Sequence, residues 1–93
     1  MKTIVLDGAY MPTREEAHYH LATRLNLPDY YGNNLDALYD LLTERGTDTR
    51  LVLYRFSDME AALGQYGAFL LDTLKAAAKK NPHLTLAFDG QED

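Results

Sequence analysis

Carboxylates, histidines and tyrosines are the side chains here that could do chemistry, and the carboxylates are the most regularly spaced. Asp36, Asp40 and Glu44 recur every four residues through LDALYDLLTE (35–44). On a helix advancing about 100° per residue, with Leu38 at zero, they fall near ~160°, ~200° and ~240°, whereas Leu35, Leu41 and Leu42 fall within about 60° of Leu38. Three carboxylates therefore form a stripe opposite the leucines, with Tyr39 and Thr43 beside it. Paired aspartates could hydrolyse a glycosidic bond, but they would have to flank a substrate cleft, commonly ~5–9.5 Å apart. A convex helix face supplies no second wall. His18 and His20 stand two apart on a helix, point to different sides and cannot share a metal; the i,i+4 arrangement of an HExxH site is absent. His18 reads as a structural histidine satisfied within the fold, and His83 as one at a strand entrance. No glycine loop resembles a phosphate cradle, and no Ser-His-Asp pattern stands out. Neither catalysis nor a cofactor nor a metal is expected.

A solvated surface is the ordinary explanation of such a stripe, and energy argues for something more. Asp36/Asp40 and Asp40/Glu44 are like-charge pairs at i,i+4, each destabilising by a few tenths of a kcal/mol. The helix dipole compensates Asp36 near the N-terminus but opposes Glu44 at the other end. A surface shaped for stability alone would carry lysine at one of these positions, and local conflict of this kind is where function tends to sit. Just upstream, Tyr30 and Tyr31 precede a glycine. One is expected to plug the core where the chain turns, and tyrosine is also an enriched interface anchor. Aromatics interleaved with carboxylates suit a cationic, partly apolar cleft on a partner.

The elements that must position these residues can be read from periodicity. TIVLD (3–7) is a continuous apolar run, the pattern of a strand buried on both faces. Thr13 and Glu16 form a capping box that opens a helix whose Ala17, Leu21 and Leu25 make an apolar stripe, ending near Asn26 before Pro28. A second helix is predicted from Asn34 to Glu44, capped by Asn33 or Asn34, with Gly46 just beyond. RLVLYRF (50–56) is the next strand. Ser57 and Glu60 suggest a second capping box opening a brief helix that ends at Gly64. A last helix follows from about Gln65 to Lys80, stopped by Asn81-Pro82, then a strand at HLTLAF (83–88) and a frayed acidic tail, DGQED. Strands separated by helical connections imply an α/β fold, with three parallel strands joined by right-handed crossovers and about four helices.

The chain has 93 residues, 46% hydrophobic and 25% charged, which fits one domain over 1–93 with a single core. The lack of cysteine excludes disulfides and thiol chemistry and fits a reducing compartment. No segment has the length of a signal h-region or the ~18 apolar residues of a membrane span, so a cytoplasmic protein without membrane association is expected. A net charge of −5 argues against direct nucleic-acid binding, which depends on neutralising phosphates, and matches a basic partner.

LPDYYGNNLDALYDLL (27–42) resembles the signature of the barstar family, small intracellular inhibitors of secreted bacterial ribonucleases whose members carry an LPxYYGxNLDAL run. The likeness extends over the whole chain in length, element order and closing strand. It implies an inhibitor, or immunity protein, whose second helix and preceding loop plug the active site of a guanyl-preferring, barnase-type ribonuclease in a 1:1 complex, and which is monomeric when free. The family's decisive aspartate falls on Asp40, its carboxylate taking the place of a substrate phosphate; that weight is inherited from the family. The companion aspartate falls on Asp36, the stacking loop tyrosine on Tyr30, and an aromatic that is tryptophan in the best-known member on Tyr39. Gly32 and Asn34 would shape the loop and cap. The expected partner surface is thus Tyr30, Tyr31, Asn34, Asp36, Tyr39, Asp40, Thr43 and Glu44. Two departures from the best-known member bear on the partner. Arg45 replaces a tryptophan, and Ala76, among Lys75, Lys79 and Lys80, replaces a contributing glutamate on the last helix. Two alternatives stand beside the inhibitor: a barstar-like module that binds another toxin or a cytoplasmic partner through the lysines of the last helix, and, far behind, a small hydrolase.

Overall fold

The computed structural model describes residues 1–89 and has the elements β1 (Lys2–Asp7), a 3-10 turn (Gly8–Tyr10), α1 (Arg14–Leu25), α2 (Leu35–Thr43), β2 (Thr49–Tyr54), α3 (Phe56–Leu63), α4 (Gln65–Lys80) and β3 (Leu84–Asp89). The strands form one parallel sheet in the order β1-β2-β3, with Ile4, Leu51 and Leu86 in register, then Val5, Val52 and Ala87. This is the three-stranded, four-helix α/β fold that the alternation of elements predicts. Asp89, the first residue of the expected acidic tail, ends β3; the rest of that tail, 90–93, lies outside the described residues. No helix among the described residues is long and apolar enough to cross a membrane.

One face of the sheet is packed. Ile4, Leu6, Leu51, Leu53 and Leu84 are buried and meet Leu21 and Leu25 of α1, Leu38 and Leu42 of α2, and Leu70 and Leu74 of α4 in a single cluster. The other face is open: Val5 is 38% exposed, and Thr3, Arg50 and Thr85 are exposed too. The expectation of a strand buried on both faces is therefore corrected. The helices share one core on one side, and the unbroken apolar run of β1 comes from Val5, a β-branched residue that suits a strand without being covered.

The caps show how each helix is placed. Thr13 Oγ1 accepts from Glu16 N at 3.1 Å to start α1, and Asn26 ends it in the left-handed conformation at φ 56°. The start of α3 departs from the expected Ser57 cap: the helix begins at Phe56, and its N-cap is Arg55 at φ 53°, whose side chain does not cap the helix. Two forces override the local signal. Phe56 is buried in the core, and Arg55 is drawn back to Asp7 by two bonds, Nε to Oδ1 at 3.1 Å and Nη2 to Oδ2 at 2.7 Å. The same crossing needs Gly8, since a Cβ there would stand 2.1 Å from the Arg55 carbonyl oxygen.

Candidate functional site: the outer face of the second helix

α2 is seated by its leucines. Leu38 and Leu42 are fully buried, Leu35 and Leu41 partly so, and the helix packs along α4. The opposite side is left to Asp36, Asp40 and Glu44, all exposed, over about 12 Å of helix length. None of the three takes part in an ion pair among the described residues; the pairs found there include Arg55 with Asp7 and His83 with Asp48. Among the described residues, then, no cation pairs with the stripe. Tyr39 is half-buried beside it, and Thr43 turns its hydroxyl back to the Asp40 carbonyl at 3.0 Å.

Both ends of α2 are held. At the N-terminus Asn34 Oδ1 accepts from Ala37 N at 2.7 Å, while its Nδ2 donates to Gly32 O at 3.2 Å, so one side chain caps the helix and closes the loop before it. At the C-terminus the amide of buried Asn81 donates to Leu42 O at 2.9 Å, which also accepts from Arg45 N at 3.3 Å, and to Arg45 O at 2.8 Å just past the helix end. Its Oδ1 accepts from His83 N at 2.9 Å. Local sequence marks Asn81 only as a helix stop. Its second role depends on α4 ending beside α2, which no local pattern reveals.

The two tyrosines part company. Tyr30 is 80% exposed, whereas Tyr31 is 8% exposed and its hydroxyl lies 2.6 Å from His18 Nδ1. The other ring nitrogen, Nε2, meets the Tyr66 hydroxyl at 2.7 Å. Tyr31 is therefore the plug and Tyr30 the free aromatic, so of the eight expected surface residues Tyr31 is the one that the structure takes into the core. Burial lowers the His18 pKa, helped by nearby Arg14, and raises that of Tyr31. A neutral imidazole between two hydroxyls donates to one and accepts from the other. His18 is the satisfied structural histidine expected of it. His20 faces elsewhere, accepting from Asp7 N at 3.0 Å and stacking on Tyr10.

A depression of about 260 Å³ brings Tyr30, Asp40 and Glu44 together and is lined also by Tyr31, Ala37 and Leu41. Asp36 and Asn34 line a different groove, towards α1. Arg45 does not join the acidic face. Its Nη1 donates to Leu25 O at 3.1 Å and its Nε to Thr49 Oγ1 at 3.3 Å, which caps the end of α1. Lys79 and Lys80 stand in the last turn of α4, where they complement the helix dipole.

A small α/β protein that presents a convex acidic helix, clamped at both ends and flanked by a free tyrosine, has the form of a binding module. The chain matches the family profile described as Barstar (barnase inhibitor) over residues 1–89. It is also 37% identical over 81 residues to the "Putative ribonuclease inhibitor YrdF" of Bacillus subtilis (strain 168), which covers 86% of this chain and 89% of that protein. The chain belongs to the barstar family.

Proposed function

We propose that this protein inhibits a basic, secreted ribonuclease of the barnase type by setting the outer face of α2 and the Tyr30 loop into the enzyme's active site. The observation that carries the reading is the set of three exposed carboxylates, Asp36, Asp40 and Glu44, for which the described part of the chain provides no cation. Their mutual repulsion becomes attraction on meeting a cationic cleft and speeds encounter at low salt. Asp40 stands for the substrate phosphate and Asp36 supports it. Tyr30 stacks on the enzyme; Tyr39, Thr43 and Glu44 border the contact, and Asn34 holds the loop and helix start in place. The inhibitor acts in the cytoplasm as an immunity protein, without catalysis of its own, as a monomer that forms a 1:1 complex. Membership of a family described as barnase inhibitors supports this reading. The folding of Arg45 back onto α1 supports it too, because that cation is spent inside the fold rather than set against a basic partner.

Calorimetric titration with barnase, wild type beside Asp40→Ala, at two salt concentrations, tests it. The expected result is tight 1:1 binding, weakened by salt and reduced at least about 100-fold in the variant, as for truncation of one partner of a buried charge pair. Equal affinity of the two proteins, with both folded, would remove Asp40 from the mechanism.

A further inference from the structure

Asp36 also faces a second feature. An open groove of about 940 Å³ runs between α1 and the start of α2, lined among others by Arg14, Glu15, Tyr19, Asn33, Asp36 and Tyr66. Its volume lies at the upper end of the roughly 300–1,000 Å³ of small-molecule pockets, but such pockets bury about 70–90% of their ligand, and this groove is open to solvent. Its shape suits side chains on a protein loop.

Its lining favours one kind of loop. The Arg14 guanidinium lies 4.1 Å from the centroid of the Tyr66 ring and makes no ion pair among the described residues. Tyr66 is in turn fixed by its bond to buried His18. That wall is built. Glu15 and Asp36 remain as exposed carboxylates without an ion pair among the described residues, so the groove keeps more negative than positive charge. Tyr19, on the α1 side, is 74% exposed, a large amphipathic ring held by a helix and covered by nothing. An exposed tyrosine is the residue type enriched at interface anchors, and the exposed carboxylates beside it complement a cationic partner.

We propose that this groove is a second docking surface for the same basic ribonuclease, taking a loop that places a lysine or arginine between Glu15 and Asp36 and an apolar side chain against Tyr19. The proposal rests on the inhibitor reading, and Asp36, which borders both the groove and the acidic face, makes the two surfaces continuous. Tyr19 and Glu15 then decide which ribonucleases are bound, whereas Asp40 decides whether any is.

Titration of barnase against wild type, Tyr19→Ala, Glu15→Lys and Asp40→Ala separates the two ideas. Tyr19 and Glu15 are both exposed, and thermal unfolding verifies that each variant is folded. The expected result is about a tenfold loss of affinity for each groove variant, with the Glu15→Lys loss shrinking at high salt. Unchanged affinity in both groove variants, while Asp40→Ala destroys binding, overturns the groove and leaves the inhibitor reading intact. Failure of the wild type to bind barnase overturns both.

Discussion

His18 Nδ1 and the Tyr31 hydroxyl, 2.6 Å apart in the core, tie α1 to the loop that leads into the acidic face. With Tyr66 on the second ring nitrogen, three tertiary elements meet on one imidazole. The loop before α2 is therefore only as firm as the neutrality of that ring, which leads to a prediction about pH.

Burial lowers the folded-state pKa of His18 below 6.5, so the native protein resists a proton that the unfolded chain accepts near 6.5. The stability from a neutral His18 is fully present above about pH 6.5 and is lost as the pH falls below it and through the lowered folded value. His20 is shifted in the same direction, chiefly by burial. Urea unfolding between about pH 8 and pH 5 is expected to show stability falling on the acid side. The His18→Gln variant should be weaker throughout and show a shallower fall, with the His20 share retained. An equal acid slope in that variant would place the dependence elsewhere.

Asn81 should matter more than its position at a helix end suggests. Replacing it with alanine removes two bonds to the end of α2 and one to His83. The expected loss is about 2 kcal/mol, because the Arg45 carbonyl loses its side-chain donor and His83 N its acceptor, while Leu42 O keeps only the longer bond from Arg45 N at 3.3 Å. Asn81→Asp should be at least as damaging, since it turns an oxygen towards the Leu42 and Arg45 carbonyls. Chemical unfolding of both variants gives the comparison.

Asp40→Lys should stabilise the protein while it abolishes binding. The change removes two repulsive i,i+4 contacts and creates two attractive ones, with Asp36 and Glu44, for a gain on the order of 1 kcal/mol. The gain should shrink as salt is added. Thermal unfolding at low and high ionic strength measures it. A loss of stability would mean that the three carboxylates are not in conflict in the free protein.

The parts of this molecule that were legible in the sequence are those governed by local rules. The Thr13 cap, the α2 leucine stripe and the carboxylates opposite it follow from spacing, and the structure places each where spacing puts it; for the α2 cap, spacing offers Asn33 or Asn34, and the structure has Asn34. What could not be read depends on partners distant in the chain. Ser57 carries a cap signal as good as that of Thr13, yet the helix starts at Phe56 because a buried ring and an aspartate 48 residues away draw the chain first. Arg45 has the composition of an exposed surface residue and is instead bonded to Leu25, 20 residues upstream. Tyr30 and Tyr31 are indistinguishable by type; only the presence of His18 behind the loop determines which one turns inward. Nothing in the sequence marks Tyr19 or Tyr66, since a single tyrosine on a helix is an ordinary residue until another element forms a groove beside it.

The clamping of α2 by Asn34 at one end and Asn81 at the other has a kinetic meaning. A surface that must order itself on contact loses affinity to the entropy of doing so, on the order of 0.5–1.5 kcal/mol for each side chain immobilised. Here the backbone of the acidic face is already in place, so the cost of ordering the helix and its loop has been taken up when the chain folds, and only the side chains remain to be fixed on contact. A partner would then meet a rigid template: its arrival would be limited by diffusion and the long-range field of the carboxylates, and its departure would require all contacts to break at once rather than peel away from a fraying helix. A variant that frees either end of α2 should therefore shorten the lifetime of the complex well before it slows its formation.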